Sequence, residues 1–177
     1  MNGIDRRLAS AEQLDELRQR LRARSSPSAR RVLVCTGPGC AAKGAGRTLE
    51  LFREAAEQAP EGVEVQVKSI GCHGLCAGGP LVVVQPEGIL YTQVEEPDVA
   101  EIFRESVLGG RVVERLLYTD PASGEKARTA AEIPFYKAQQ RIALAHNGLI
   151  DPTSIEDYIE VGGYSALAKA LHTMTPE

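Results

Sequence analysis

The sequence predicts an α/β domain with a mixed sheet, flanking helices and a C-terminal helical segment. Two observations predict it. Short apolar strands alternate with an amphipathic helix early in the chain, and a hairpin followed by a second helix comes after them. The strand–helix–strand unit requires a right-handed parallel crossover, whereas a strand pair joined by a turn is antiparallel. With 177 residues, 43% of them hydrophobic, the chain can form one such domain plus further elements.

Residues 1–29 are predicted to form an amphipathic helix and a short linker. Ser10 followed by Gln13 resembles a capping box, and leucines recur along one stripe of the helix. The stripe is too narrow to form a core by itself. We therefore expect this helix to dock on its own domain or on another subunit.

Residues 30–117 are predicted to form the complete domain. The predicted strands are 31–34, 63–68, 81–84 and 89–94, and the predicted helices are 47–58 and one that begins at Pro97. The run 81–84 is apolar throughout, which is typical of a strand buried on both faces. The element order strand–helix–strand–strand–strand–helix is that of a thioredoxin core.

The remainder of the chain is predicted to be a linker and a helical segment. Residues 118–132 are polar and rich in turn-forming residues, so they are expected to form a linker. Residues 133–177 are expected to be helical, with a first helix that begins at Pro134, carries Phe135, Ile142 and Leu149, and is interrupted by Asn147-Gly148. This segment has too few large apolar residues for a core of its own, and we expect it to lie against a further domain.

The four cysteines form two pairs that each follow a strand. Four residues separate Cys35 from Cys40, and three separate Cys72 from Cys76. Because the two preceding strands are parallel in the predicted fold, both loops emerge at the same edge of the sheet. The pairs should therefore converge in space.

Several kinds of thiol chemistry are compatible with these pairs. Thiolates bind zinc or iron–sulfur clusters, but structural zinc sites usually place two residues between ligands. A dithiol redox enzyme requires Cys-x-x-Cys, which is missing. Disulfides are disfavoured in the cytoplasmic location expected for a chain without an apolar signal core. The wider loops favour a [2Fe–2S] cluster, in which each iron takes two thiolates; zinc, disulfides and free thiols stay open.

The residues around the cysteines fit a cluster as well. Four glycines would let backbone N–H groups approach sulfur, because a Cβ would obstruct them. They are Gly37, Gly39, Gly71 and Gly74. With four cysteines present, His73 is not needed as a ligand, and we expect it to be a polar loop residue that donates a hydrogen bond near the cluster. No catalytic residue is predicted.

Composition excludes other functions. The net charge of −4 and a pI near 5.5 argue against nucleic acid as a partner. No apolar run approaches the roughly 20 residues of a membrane-spanning helix. The glycines after Lys43 are not followed by Gly-Lys-Ser/Thr, so they do not form a phosphate loop.

The two cysteine motifs resemble a known family. Val-Cys-Thr-Gly-Pro-Gly-Cys and Gly-Cys-His-Gly-Leu-Cys-Ala-Gly-Gly-Pro are similar to the thioredoxin-like [2Fe–2S] ferredoxin domain. That domain occurs in the NADH-oxidising arm of complex I and in NAD(P)-linked hydrogenases and formate dehydrogenases. The resemblance implies that the cluster ligands are Cys35, Cys40, Cys72 and Cys76.

A second resemblance lies downstream. The stretch from Ile133-Pro134-Phe135-Tyr136-Lys137 to Gly162-Gly163-Tyr164 is similar to the segment that precedes the flavin domain in the NADH-binding flavoprotein subunit. Together with the cysteine motifs, it resembles the N-terminal third of the flavoprotein (beta) subunit of multimeric iron hydrogenases, including electron-bifurcating ones. It implies an electron-transfer module associated with other subunits of a redox complex. FMN and NAD(H) are then expected only in a domain missing from this chain or in a partner, so no complete active site is expected here. The alternative is a structural or assembly docking module with an empty or zinc-filled site.

Overall fold

The computed structural model describes residues 7–24 and 30–175, which form two compact units. Residues 30–151 make up the larger unit. Its strands are β1 (Arg30–Cys35), β2 (Val65–Ile70), β3 (Val82–Gln85), β4 (Ile89–Tyr91), β5 (Tyr118–Thr119) and β6 (Lys126–Ala127). Its helices are α2 (Pro38–Ala41), α3 (Ala45–Glu57), α4 (Asp98–Ile102) and α5 (Pro134–Lys137), following α1 (Ala11–Arg24) of the smaller unit. The linker predicted within 25–29 lies outside the described residues.

The main sheet is mixed, as the sequence predicts. Its strand order is β2-β1-β3-β4, with β1 and β2 parallel and the other two pairs antiparallel. In the parallel pair Cys35 lies opposite Ile70, so both cysteine loops leave the same edge of the sheet. The predicted thioredoxin-like order is confirmed.

Helices pack on this sheet through their apolar faces. The α3 helix buries Leu49 and Phe52, which lie one turn apart on one side of the helix. The α4 helix buries Ile102 and continues as a π-helical stretch, Phe103–Leu108. The three valines of β3 are buried on both faces, as their continuous apolar run predicts.

The last strand of the sheet is shorter than the predicted 89–94. It ends at Tyr91, and Gln93 has a left-handed φ of 53° that takes it out of the extended conformation. The Gln93 N–H instead donates to the carbonyl of Gly78, 2.7 Å away. This bond ties the strand end to the loop that carries Cys76.

The polar stretch 118–132, predicted as a linker, contains the antiparallel hairpin β5–β6. Backbone bonds join its flanks to β4: the N–H of Leu90 donates to Arg128 and that of Thr92 donates to Leu116. The outer edge of a strand has unpaired N–H and C=O groups, and these bonds provide hydrogen-bond partners for N–H groups along the edge of β4. Ile133, which follows, is fully buried.

The long helix predicted from Pro134 is wrong in extent. It ends after one turn at Lys137, and turns connect it to Asp151. Ile142 and Leu149 are exposed and do not form a helix face. The interruption predicted at Asn147-Gly148 is present, because Gly148 has a φ of 82° that a right-handed helix cannot include.

The smaller unit consists of α1, α6 (Ile155–Glu160) and α7 (Ser165–Thr173). Leu14 and Ile159 are buried in it, so α1 finds packing partners within its own chain. The guanidinium groups of Arg18 and Arg22 donate to the carbonyls of Ile159 and Glu160 at the end of α6. Cations are favourable there because the last carbonyls of a helix lack partners. None of the helices in the described part of the chain has the length and apolar character needed to cross a membrane.

Candidate metal centre

Backbone bonds from two neighbouring strands fix the position of Cys35. Its N–H donates to the carbonyl of Leu81 at 3.0 Å, and the N–H of Thr36 donates to the carbonyl of Ile70 at 3.1 Å. The hydroxyls of Thr36 and Ser69 are 2.7 Å apart. The first thiol is therefore anchored between β2 and the start of β3.

Cys40 lies in a helical turn rather than in an open loop. Pro38 occupies the first position of α2, where a missing N–H costs nothing, and the turn returns Cys40 towards Cys35. Both side chains are only 1% exposed. Burial and the adjacent Cys35 thiol raise the pKa of Cys40 to about 12. A metal cation would provide the compensating charge that a buried thiolate requires.

The second pair is closer to solvent. Cys72 is half-buried and Cys76 is exposed, and their Sγ atoms are 3.7 Å apart. The neighbouring Cys72 thiol raises the pKa of Cys76. Two thiolates on one tetrahedral metal, each about 2.3 Å from it, would lie about 3.8 Å apart. The second pair therefore already has the separation that a shared metal ion requires.

Three glycines form a cradle around the thiols. A Cβ on Gly37 would lie 2.7 Å from the Cβ of Cys72, and one on Gly39 would lie 3.2 Å from the Cβ of Cys76. A Cβ on Gly79 would lie 2.7 Å from the Sγ of Cys40. Gly37 and Gly39 are among the glycines predicted from the sequence, whereas Gly79 is not. Its signal in the sequence is its position three residues after a cysteine, in a Gly-Gly-Pro run.

Lys43 is a further residue that the sequence analysis missed. Its Nζ donates to three backbone carbonyls of the second loop, those of Cys76, Ala77 and Gly79, at 3.4, 3.1 and 3.2 Å. The chain after the first cysteine pair thus holds the backbone of the second pair. Nothing in the local sequence distinguishes this lysine from an exposed one.

The other predicted neighbours of the thiols face a different part of the unit. The N–H of Gly71 donates to the carbonyl of Ile150 at 3.0 Å. The buried His73 places Nδ1 2.6 Å from the hydroxyl of Tyr136, and burial followed by the charge of Arg141 lowers the pKa of His73. Gly74 has a φ of 97°. These three residues therefore contact the segment 133–150 or bend the loop, and the hydrogen bond expected from His73 goes to Tyr136.

The arrangement of donors discriminates between kinds of metal site. None of the four cysteines is in a disulfide. Within residues 7–24 and 30–175, no three His, Cys, Asp or Glu side chains are grouped around a single metal position. The thiols form two pairs instead, with Cys35 and Cys40 in hydrogen-bonding reach of one another. A mononuclear zinc site needs four donors on one ion, whereas a binuclear iron–sulfur cluster needs two on each iron.

Comparison with known proteins shows which family this chain resembles. The family model described as thioredoxin-like [2Fe–2S] ferredoxin matches residues 23–106. A 2Fe–2S ferredoxin of Clostridium pasteurianum is 40% identical over 77 residues, which are 44% of this chain and 76% of that protein.

Two further relatives extend the comparison. The NADP-reducing hydrogenase subunit HndC of Solidesulfovibrio fructosivorans is 60% identical over 40 residues, 23% of this chain and 8% of that protein. The crystal structure of the thioredoxin-like [2Fe–2S] ferredoxin from Aquifex aeolicus is 32% identical, with a TM-score of 0.49, and the match covers 52% of this chain and 99% of that one.

Proposed function

This chain belongs to the thioredoxin-like [2Fe–2S] ferredoxin family, and on that basis we propose that it is the electron-transfer module of an NAD(P)H-linked redox complex. Family membership implies a [2Fe–2S] cluster and ferredoxin-type electron transfer. The proposal adds the ligands of the cluster, the complex in which the module acts and the source of its electrons.

The ligands in this proposal are Cys35, Cys40, Cys72 and Cys76, with each pair holding one iron. The observation that carries this assignment is the 3.7 Å separation of the Cys72 and Cys76 sulfurs beside a second, buried pair of thiols. The glycine cradle supports it, because only glycine lets the backbone come this close to both pairs. When bound, the cluster supplies one-electron redox chemistry at a potential set by charge, hydrogen bonds and exposure.

The protein's own residues position the cluster and control access to it. Backbone bonds to Leu81 and Ile70 fix the first loop, and Lys43 fixes the second. The first pair is shielded from water, whereas Cys76 is exposed. A redox partner would therefore approach from the side of the second pair, where the distance to the cluster is shortest.

The link to NAD(P)H and to a larger complex is the finer part of the proposal. HndC, to which this chain is similar over 40 residues, is named as a subunit of an NADP-reducing hydrogenase. Exposed large apolar side chains are concentrated after residue 134 in the described chain, as expected of a subunit with protein partners. They are Phe135, Ile142, Leu144, Leu149, Ile155, Tyr158, Tyr164, Leu167, Leu171 and Met174. We propose that FMN and NAD(H) bind in a further domain or in a partner subunit of a hydrogenase, formate dehydrogenase or NADH dehydrogenase.

Reduction by a pyridine nucleotide tests this part of the proposal. The protein with its cluster is mixed anaerobically with NADPH or NADH, alone and with a catalytic amount of a flavoprotein reductase, and the visible absorbance of the cluster is followed. We expect no bleaching with the nucleotide alone, because hydride donors require a flavin to split the electron pair. With the reductase, the cluster should be reduced by one electron per chain. A cluster that dithionite reduces but the nucleotide and reductase do not would contradict the NAD(P)H link.

A further inference from the structure

The segment 133–150 lies outside the matched family span of 23–106, yet it contacts the loop of the second cysteine pair. Its contacts converge on His73, the residue after Cys72. They come from Tyr136, Arg141 and Gly148. One backbone bond, from the N–H of Gly71 to the carbonyl of Ile150, fixes the residue before Cys72. The segment thus holds the chain on both sides of a proposed ligand.

Tyr136 holds both the backbone and the ring of His73. Its hydroxyl donates to the His73 carbonyl at 3.2 Å and lies within hydrogen-bonding distance, 2.6 Å, of Nδ1 of the same residue. The two rings meet edge to face, with centroids 5.2 Å apart. Behind the imidazole, a Cβ on Gly148 would lie 2.7 Å from the His73 Cδ2, so only glycine fits against this side of the ring. His73 is therefore contacted on two sides, by Tyr136 and by the backbone of Gly148.

Arg141 brings a positive charge to the same loop. Its Nη2 donates to the His73 carbonyl at 3.0 Å, and its guanidinium carbon lies 4.7 Å from the centre of the Tyr136 ring. A Cβ on Gly74 would lie 3.3 Å from this Nη2, so the guanidinium rests directly on the turn between Cys72 and Cys76. The half-buried stack on Tyr136 keeps the charge there rather than in bulk water.

We propose that Arg141 and Tyr136 are positioning residues that fix the Cys72–Cys76 loop and raise the reduction potential of the cluster. The inference rests on the proposed function in one respect, which is that Cys72 and Cys76 hold iron. Reduction adds one negative charge to the cluster, and a nearby cation stabilises the more negative state. A loop held at His73 by two side chains also keeps Cys72 in place in both redox states.

The reduction potential of the cluster in the Arg141→Gln variant tests the inference. The glutamine amide can still donate to the His73 carbonyl, but the charge is gone. We expect two irons per chain and a reduction equilibrium shifted about tenfold towards the oxidised state. In a protein environment, the interaction energy of two unit charges within about 10 Å of one another corresponds to about that factor in an equilibrium constant. For a one-electron couple this is a lowering of about 59 mV. The measurement is a redox titration monitored by electron paramagnetic resonance.

Lys137→Gln is the matched control. Lys137 is an exposed cation in the same segment that makes none of the contacts with His73. Its loss removes the same charge from the protein and should leave the potential close to that of the wild type. An equal shift in both variants, or no shift in Arg141→Gln, would overturn the inference while the proposed function stood. A wild-type protein without a cluster would overturn the proposed function instead.

Iron retention tests the positioning role separately. Tyr136→Phe removes the hydroxyl but keeps the ring, and we expect it to release iron to a chelator several-fold faster than the wild type. Tyr158→Phe, which removes the same hydroxyl from an exposed ring in the smaller unit, should release iron at the wild-type rate. If Arg141→Gln were to bind no cluster, Arg141→Lys should restore it through the retained charge. Unchanged iron release in Tyr136→Phe, or no recovery in Arg141→Lys, would contradict the positioning role.

Discussion

Replacing Cys40 by alanine is expected to reduce the iron content from two atoms per chain to none. Cys40 is 1% exposed, so solvent has little access to the position that its thiol would vacate. Alanine suits the helical turn of α2, so the backbone around residue 40 should remain folded. Serine is a poorer choice for this test, because its oxygen can itself bind iron. Iron and sulfide analysis with circular dichroism measures both the cluster and the fold.

Val84→Ala is the control for this variant. Val84 is fully buried in β3, and it pairs with Val32 rather than with residues near the thiols. The truncation should lower the free energy of unfolding by roughly 2 kcal/mol, because it leaves a cavity in the core. It should nevertheless retain two irons. If Cys40→Ala also retained two irons with an unchanged spectrum, Cys40 would not be a ligand.

Gly37→Ala is expected to disrupt the metal centre although it leaves all four thiols in place. The new Cβ would lie 2.7 Å from the Cβ of Cys72 and 2.9 Å from its Cα, so the backbone of the second loop has to move. We expect the free energy of unfolding to fall by about 1–3 kcal/mol, as in other overpacked sites. The displaced Cys72 should also lower the iron content. Chemical denaturation and iron analysis measure the two effects.

Gly46→Ala is the matched glycine control. Gly46 lies in the first turn of α3, and a Cβ there would meet no atom within 4 Å. Alanine is favoured over glycine in a helix, so stability should be unchanged or higher by up to about 1 kcal/mol. The iron content should remain two. Equal iron content in Gly37→Ala and Gly46→Ala would show that the cradle does not constrain the cluster.

Local patterns were sufficient to predict the framework of the metal centre. The apolar runs at 31–34 and 81–84 are β1 and β3, and the strand that leads to Cys72 is parallel to the one that ends at Cys35. Parallel pairing follows from the helix between these two strands, because a helical crossover brings the next strand alongside in the same direction. The convergence of the two cysteine loops could therefore be predicted without knowledge of contacts between residues that are distant in the sequence.

Contacts between distant residues could not be predicted in the same way. Arg141 and His73 are separated by 68 residues, and Lys43 and Gly79 by 36. Neither arginine nor lysine has a local pattern that distinguishes a contact with a buried carbonyl from exposure to solvent. The short extent of α5 has a similar cause, since turns beyond Lys137 bring Arg141 and Gly148 to the His73 loop. The sequence predicted a longer helix because its apolar residues happen to recur at helical spacing.

Electron paramagnetic resonance of the anaerobically purified, dithionite-reduced protein, together with iron, sulfide and zinc analysis, decides whether the four cysteines hold a binuclear cluster. We expect a rhombic signal from a single unpaired electron, with two irons and two sulfides per chain. The four cysteines in their two pairs would then be occupied as the geometry requires. No signal, with one zinc or no metal per chain, would contradict the account and leave a docking module on a ferredoxin fold.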